Sequence, residues 1–475
     1  MISKNLIAAS AVLFGSPAIA ASPTDASLSG SGGAAAVSGT AAQPGAPLTE
    51  AERTEAIKEL RDLQARMTAL ENRLGVTPPE QATPPLPRAS KDHHLELYGF
   101  TQLDAIQDFK RVDPDWEASL RPSKIQTSPG QFGSDGQSLF SVRQTRLGVK
   151  ASGTLADKPY EAKFEFDLFG TGNDAGKTHM RIRHMYASWG PFLAGQTNTL
   201  FMDGDIAPNS IEYWGPPGMA WLRNPQVRWT FWDRNGFTAA VAVEHPSNDI
   251  DPGQLRLFDE NIASNIQGDE KVPDLTAAVR YGGKWGHVRL GGLLRRVGYE
   301  TRNTVGNNPQ GHQTGWGLDL TSAINVKPVT LKLGAVYGRG LATYMNDGGM
   351  DLAPAVTVTR DPISGIITVI PRAEAVKLFG MSAFADIQWA KNWSSSIGYS
   401  FDKVDNTNFQ DPGAFHSGQY ALVNVLWTPA DPVMTGLELQ WGKRENNDGN
   451  KGNDLRLQFS FKWAFSSNNL WELVD

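Results

Sequence analysis

The sequence predicts an all-β transmembrane barrel of sixteen antiparallel strands, and three observations support this fold class. Segments of about ten residues alternate apolar and polar side chains, as barrel strands do when one face meets lipid and the other meets water. Short turns alternate along the chain with long loops. Tryptophans occur beside the short turns, where an aromatic girdle would meet the membrane interface.

Composition excludes several other classes of protein. The 475 residues are 40% hydrophobic and 20% charged, and the formal net charge is -6. After the first twenty residues there is no run of 18 or more apolar residues, which excludes α-helical membrane spans. The acidic balance argues against nucleic acid as a partner. Cysteine is absent, so disulfides and thiolate chemistry are excluded as well.

The chain ahead of the barrel divides into four predicted segments. Residues 1–20 have the apolar run and small-residue ending of a cleaved signal peptide, and residues 21–48 form a flexible Ala/Gly/Ser linker. Residues 49–75 begin with a capping box and carry a leucine stripe, which predicts a short periplasmic α-helical coiled coil. A lone amphipathic helix resting on the barrel or membrane stays open as an alternative. Residues 76–92 form a Pro-rich linker.

The barrel is predicted over residues 93–466, followed by a tail at residues 467–475. The last strand shows the pattern best, because Phe459, Phe461 and Trp463 share one face and polar residues alternate with them. The same pattern gives sixteen segments, at 95–108, 138–152, 159–169, 179–189, 191–197, 225–233, 236–245, 273–281, 285–299, 313–325, 328–338, 376–390, 393–404, 416–427, 433–444 and 454–465.

The connections indicate an orientation in the outer membrane of a Gram-negative bacterium. Short turns of such barrels face the periplasm and long loops face outward. Several short connections contain turn residues, such as Asn235-Gly236. Seven tryptophans fall beside a short turn or the end of the last strand, and they predict a periplasmic girdle: Trp189, Trp232, Trp285, Trp389, Trp393, Trp427 and Trp463. Both termini would then lie on the periplasmic side.

Four blocks of the sequence closely resemble DcaP-like porins. They are SLFSVRQTRLGVKA at 138–151, KFEFDLFGTGNDAG at 163–176, RIRHMYASWGPFLAGQTNTLFMD at 181–203 and EYWGPPGMAWLRNPQVRW at 212–229. The resemblance implies a homotrimeric outer-membrane porin with sixteen strands per subunit, an N-terminal periplasmic coiled coil, and a preference for organic anions, notably dicarboxylates. One departure is that ten residues follow Phe465, where porins commonly end on an aromatic residue.

The segment 198–224 is predicted to fold into the pore, because it is too long and too apolar for an ordinary outer loop. It would form a constriction and set selectivity through its charges, which are Asp203, Asp205, Glu212 and Arg223. Alternation registered against lipid-facing Leu147 and Val149 turns a set of basic residues inward: Arg146, Lys150, Lys163, Arg181, Arg183, Arg228, Arg289 and Arg295. Because an arginine fork can hold a carboxylate by two hydrogen bonds, these residues favour selection of small organic anions.

Other readings stay open. Acidic residues face inward in the same scheme, so a non-selective or sugar-conducting pore is one alternative: Glu161, Glu165, Asp167, Asp319, Asp386 and Glu438. A structural or adhesion barrel is another, in which the coil binds a periplasmic or peptidoglycan partner. The eight histidines show no triad or metal spacing, so the sequence predicts no enzyme, metal or cofactor. Besides solutes, outer-membrane lipid and lipopolysaccharide are expected partners. Arg143 falls on the lipid face by strict alternation, and its role is unassigned.

Overall fold

The computed structural model describes residues 93–470 and, ahead of them, only Lys58, Asp62 and Arg66. These three residues are α-helical, and Arg66 forms an ion pair with Asp62 at 2.9 Å. The predicted signal peptide, both linkers, the rest of the predicted coiled coil and the end of the tail lie outside the described residues.

Twenty strands are described, and eighteen of them belong to one sheet. They are β1 His94–Asp108, β2 Gln137–Ser141, β3 Arg146–Leu155, β4 Lys158–Asp167, β5 Arg181–Trp189, β6 Phe192–Asn198, β7 Arg223–Arg234, β8 Phe237–Glu244, β9 Ile266–Asp269, β10 Asp274–Gly283, β11 Gly286–Thr301, β12 Gly311–Val326, β13 Val329–Arg339, β14 Leu352–Arg360, β15 Ile367–Ala375, β16 Lys377–Ala390, β17 Trp393–Asp405, β18 Phe415–Ala430, β19 Val433–Asn446 and β20 Lys451–Ser466. The strands β14 and β15 pair with each other in a separate hairpin.

Helices in the described part are short. The α-helices are α1 Glu260–Asn265 and α2 Ser467–Leu470. The 3-10 helices are Pro114–Trp116, Pro122–Lys124, Gly172–Asp174, Gly204–Ile206, Gly253–Leu257, Val305–Asn307 and Ala342–Tyr344. None of the helices in the described part of the chain is long and apolar enough to cross a membrane.

The sheet closes into an antiparallel barrel, because β20 pairs with β1 along eleven positions, from Tyr98 opposite Ser466 to Asp108 opposite Arg456. Two barrel strands are each interrupted. The strands β2 and β3 pair with successive parts of β1, and β9 and β10 pair with successive parts of β11. With each interrupted pair taken as one, the eighteen strands form sixteen barrel strands, which confirms the predicted fold class.

Connections differ in length at the two ends of the barrel. At one end, seven turns of two residues join the strands, at 156–157, 190–191, 235–236, 284–285, 327–328, 391–392 and 431–432. The turn at Asn235-Gly236 has positive φ at both residues (54° and 77°), as a tight hairpin turn requires. At the other end, eight longer connections lie at 109–136, 168–180, 199–222, 245–265, 302–310, 340–376, 406–414 and 447–450.

The two faces of the wall have opposite character. On β20, Phe459 and Phe461 are each 45% exposed, whereas Gln458 and Ser460, which alternate with them, are buried. All seven tryptophans of the predicted girdle are exposed, and they lie beside two-residue turns or near the end of β20. An apolar outer face and a polar inner face are the arrangement of a barrel that meets lipid outside and water inside.

Two loops fill part of the interior. The inner loop (residues 199–222) and the hairpin loop (residues 340–376) share one apolar cluster, in which Phe201 of the first packs with Tyr344 of the second. The backbone N–H of Trp221 donates to the Tyr344 carbonyl oxygen at 2.9 Å, and an isolated bridge joins Ala220 to Met345. The two loops therefore pack as one unit against the inner wall.

Candidate functional site

The inner loop is hydrogen-bonded to several sides of the wall. Asp203 Oδ2 lies 2.7 Å from His287 Nε2 on β11, and the Ile211 N–H donates to Glu438 on β19 at 3.0 Å. Further bonds reach β13, β16 and β17, through Lys332 to Ala207, Asn209 to Asp386, and Gly218 to Ser400. The loop thus crosses the lumen.

A cavity of about 670 Å³ lies between the inner loop, the hairpin loop and the wall. Its lining carries six basic residues, which are Arg121, Arg146, Arg181, Arg183, Arg223 and Lys462. Three acidic residues also line it, namely Glu212, Asp249 and Asp347. Aromatic rings complete the lining, from Phe100, Tyr213, Trp214 and Trp221.

Asp167, at the end of β4, organises one part of the cavity wall. Its carboxylate accepts hydrogen bonds from Arg181 Nη2 at 2.8 Å and from Arg183 Nη1 at 3.0 Å. The Tyr213 hydroxyl, from the inner loop, donates to the same carboxylate at 2.5 Å. One negative charge is therefore shared between two arginines, and the inner loop is fixed to them by a hydroxyl.

Glu165, two residues earlier, is shared in the same way. Arg183 Nε donates to it at 2.8 Å, while Arg146 Nε lies at 3.6 Å and Lys163 Nζ at 3.2 Å. The Tyr98 hydroxyl donates to it at 2.8 Å. Four cations thus face two carboxylates on β3, β4 and β5, so this stretch of the wall carries an excess of positive charge.

Arg223 is the first residue of β7 and lines the cavity together with Arg183. Within the part of the chain that the structure describes, no carboxylate forms an ion pair with it, and its buried Nε has no hydrogen-bond partner. A guanidinium with free donors beside other arginines is a group that can bind an anionic solute.

The sequence profile of the DcaP outer membrane protein family matches residues 66–327. The chain belongs to this family. The resemblance read from the four sequence blocks is thereby confirmed. Among solved structures, the crystal structure of the outer membrane channel DcaP of Acinetobacter baumannii has a TM-score of 0.64 at 23% identity, covering 79% of this chain and 99% of that chain.

Other porins share less of the structure. An anion-selective porin from Comamonas acidovorans has a TM-score of 0.49 at 10% identity, covering 79% of this chain and 100% of that chain. OmpT of Vibrio cholerae has a TM-score of 0.47 at 12% identity, with coverages of 80% and 99%. No curated protein sequence matches the chain. Family and fold together make this DcaP-family protein an outer-membrane channel.

Not all predicted basic residues of this DcaP-family channel border the cavity. Arg289 and Arg295 face inward as alternation requires, but loops cover them, so the prediction that they line the pore is corrected. Arg289 donates to the Phe201 carbonyl at 3.1 Å, and Arg295 forms ion pairs with Asp274 and Asp351, both at 3.2 Å. They anchor the inner loop and the hairpin loop.

The remaining predicted basic residues lie on the wall away from the cavity. Lys150 pairs with Glu96 at 3.2 Å, and Lys163 sits opposite Lys150 in the β3–β4 register. Arg228 donates to the Asn198 carbonyl at 2.7 Å and has no acidic partner among the described residues. These residues face inward but do not line the cavity beside the inner loop.

Two predicted charges of the inner loop also lie away from the cavity. Asp203 is buried against the wall, and although burial opposes its ionisation, hydrogen bonds from Thr321 and His287 hold its pKa below the usual value. Asp205 pairs with Arg280 at 2.8 Å. The side-chain oxygen and nitrogen atoms of Asp203, Asp205 and His287 lie within 4.8 Å of one another. Asp205 attaches the inner loop to β10, and Asp203 attaches it to β11.

Glu212 connects the inner loop to the first long loop. It accepts a hydrogen bond from the Leu120 N–H at 2.8 Å and another from the Gly215 N–H. Burial raises the pKa of Glu212 to about 7, against the opposing effect of these donors. A carboxyl group that lines the cavity is therefore only partly charged near neutral pH.

Sequence reasoning missed two basic residues of the lining. Arg121 lies between the rings of Trp116 and Trp214, at 4.1 and 4.2 Å, and its Nη2 donates to Asp347 at 2.8 Å. It comes from a loop, where no periodic pattern marks it. Lys462 lies on β20 opposite the lipid-facing aromatics, so the alternation that identified the strand could have placed it.

Arg143 does not face lipid, contrary to strict alternation. The strand is interrupted at residues 142–145, between β2 and β3, and this break turns the side chain into the interior. Arg143 Nη2 donates to the Gly170 carbonyl at 2.8 Å, and the guanidinium lies 4.1 Å from the Phe169 ring centroid. Phe169 in turn stacks on Tyr213 at 3.8 Å. The residue therefore supports a ring stack that ends at the cavity.

Proposed function

We propose that this outer-membrane channel is an anion-selective porin for passive uptake of small organic anions, with dicarboxylates preferred. The observation that carries the proposal is the cavity lining, in which six basic residues meet three acidic ones and Arg223 has no ion-pair partner among the described residues. Free guanidinium donors attract the carboxylates of the solute. Nearby arginines that already share a carboxylate provide further binding sites, so the solute can move on from the first site and leave the pore.

The acidic residues of the lining weaken this positive field only in part. Asp347 accepts hydrogen bonds from Arg121 and from Ser123, so its charge is already compensated. Burial raises the pKa of Glu212 to about 7 and also raises the pKa of Asp249. These three acidic residues therefore offset the basic residues of the lining less than their number suggests.

The proposal includes an orientation and an assembly. The seven two-residue turns and their tryptophans face the periplasm, as short turns of outer-membrane barrels do, and the long loops face outward. The chain forms a homotrimer, as the family resemblance implies, and residues 49–75 assist assembly or bind a periplasmic partner.

The proposal is tested by recording from purified full-length protein in planar bilayers under a salt gradient. The expected reversal potential has the anion-selective sign, the conductance steps come in threes, and added succinate lowers the chloride current. A reversal potential near zero would favour a non-selective or sugar-conducting pore. A cation-selective sign would contradict the arginine argument, and absence of conductance would favour an anchoring or adhesion barrel.

A further inference from the structure

Three cations lie side by side on the wall at the end with the long loops. Arg339 ends β13, Lys377 begins β16, and Lys403 lies near the end of β17. Arg339 is directly opposite Lys377 in the strand register, and Lys403 is opposite Phe379, two residues further along β16. All three residues are exposed. We call Arg339, Lys377 and Lys403 the rim patch.

The rim patch faces outward, toward lipid. The next outward residues on β13 and β16 are Tyr337 and Phe379, which are 49% and 40% exposed. Leu378 and Val404, which alternate with the patch residues, are buried in the interior cluster beneath the hairpin loop. Because side chains alternate between the faces of a strand, the three cations share the face of Tyr337 and Phe379.

The height of the rim patch is set by the length of β16. From Phe379 to Trp389, beside a two-residue turn, the outward positions are apolar. Ten residues at about 3.3 Å each, tilted by about 40°, cover about 25 Å of membrane thickness, the height of the apolar band of such barrels. Lys377 therefore stands just beyond the band, at the level of lipid headgroups.

Several other outward cations at this end form ion pairs. Asp269 binds both Arg296 at 3.1 Å and Lys271 at 3.0 Å, and Glu445 binds Lys451 at 3.2 Å. For the rim patch, by contrast, the structure records no ion pair within residues 93–470. The patch thus places three cations side by side whose charge is free to bind a partner.

The surroundings of the rim patch suit a phosphorylated glycolipid. The nearest carboxylate in the register is Asp405, opposite Lys377, which leaves the patch with a net charge of about +2. Trp316, opposite Arg339, packs edge-to-face on Tyr337 at 5.8 Å, and these rings offer an interfacial surface below the cations. Clusters of basic residues at membrane interfaces attract anionic headgroups.

We infer that the rim patch binds the phosphorylated headgroup of lipopolysaccharide in the outer leaflet. The inference rests on the orientation proposed above, with the long loops outside. Lysine stems lie along the apolar band and extend their ammonium groups to the phosphate, while Arg339 can hold two phosphate oxygens with its fork.

The test compares lipid binding by the full-length wild type and the triple variant R339Q/K377Q/K403Q. Both are titrated in detergent with bis-phosphorylated lipid A, and bound lipid is measured by native mass spectrometry. Each cation contributes about fivefold at such surfaces, so the triple variant should bind on the order of 100-fold more weakly. The matched control K451Q, whose lysine is paired at the same rim, should bind like the wild type.

Wild-type binding should also fall when the lipid A phosphates are removed. Equal binding by the wild type and the triple variant, or equal binding of phosphorylated and dephosphorylated lipid, would overturn the inference. The triple variant should keep the wild-type conductance and reversal potential, because the rim patch lies outside the lumen. If the wild-type channel shows no anion selectivity in bilayers, the transport proposal is refuted, whereas the lipid result is unaffected.

Discussion

Inward-facing arginines occur in two settings in this barrel. In one setting the side chain is fully buried beneath loops and is matched by carboxylates, as Arg456 is by Asp108 and Arg295 is by Asp274 and Asp351. In the other setting it borders the cavity, where carboxylates are shared or absent, as for Arg146, Arg181, Arg183 and Arg223. The loop that covers an arginine, and not the strand that carries it, decides whether a solute can reach it.

The buried setting should give the largest effect on stability. Arg456 donates to Asp108 through Nε at 2.6 Å and Nη2 at 2.8 Å, across the junction where β20 closes on β1. In R456M the Asp108 charge is buried without a partner, so the free energy of unfolding should fall by about 3–5 kcal/mol. Denaturant unfolding in detergent measures it.

The double variant D108N/R456M separates the lost ion pair from a loss of packing. Because it removes both members of the ion pair, it should recover most of the stability that R456M loses. A fall of less than about 1 kcal/mol in R456M would mean that the Arg456–Asp108 ion pair is no stronger than an exposed one, which would contradict its place in the buried setting.

The cavity setting should give a large effect on solute binding and a small one on stability. R223Q removes a guanidinium that has no acidic partner among the described residues, so no carboxylate is stranded. Block of the chloride current by succinate should weaken at least tenfold, because a charge-assisted hydrogen bond contributes about 1.5–3 kcal/mol.

The matched control for R223Q is R228Q, which removes another inward arginine that lies outside the cavity lining. Its succinate block should stay within about twofold of the wild type. Equal losses in the two variants would show that the general charge of the wall, and not the cavity, holds the solute.

Local periodicity is the part of this structure that the sequence could predict. Period-two alternation located all sixteen barrel strands, and it placed Arg183 and Arg295 on the inner face of the wall. Alternation carries no information about which loop folds over which wall residue, since that depends on contacts between distant parts of the chain. For this reason Arg295 was expected in the pore, and Arg121, on a loop, was not expected at all.

Arg143 shows a second limit of the same reasoning. Strict alternation assumes an unbroken strand, whereas the chain leaves the sheet at residues 142–145 and the register resumes with β3. An interruption of this kind turns a side chain to the other face. The stack of Arg143, Phe169 and Tyr213 could therefore be found only from the structure.

Tyr213 offers a smaller perturbation that links the loop to the cavity arginines. Y213F keeps the ring stacked on Phe169 but removes the hydroxyl that donates to Asp167. Without this donor, Asp167 binds Arg181 and Arg183 more tightly, so that they are less available to the solute. Block of the chloride current by succinate should therefore weaken about threefold to tenfold, since a hydrogen bond to a charged group is lost. The same current measurement checks it, and Y186F, which removes a tyrosine hydroxyl outside the lining, should behave as the wild type.

Glu212 belongs to both settings, because it is buried and yet lines the cavity, and it should give the smallest effect. With its pKa at about 7, the carboxyl group is mostly neutral at pH 6 and mostly ionised at pH 8. Anion selectivity should therefore decrease modestly as the pH rises through 7, because one negative charge is added to a lining that contains six basic residues. Reversal potentials at the two pH values measure the change, and E212Q should remove it. If the reversal potential of E212Q still changes with pH, another group titrates, and Glu212 then belongs to the buried setting alone.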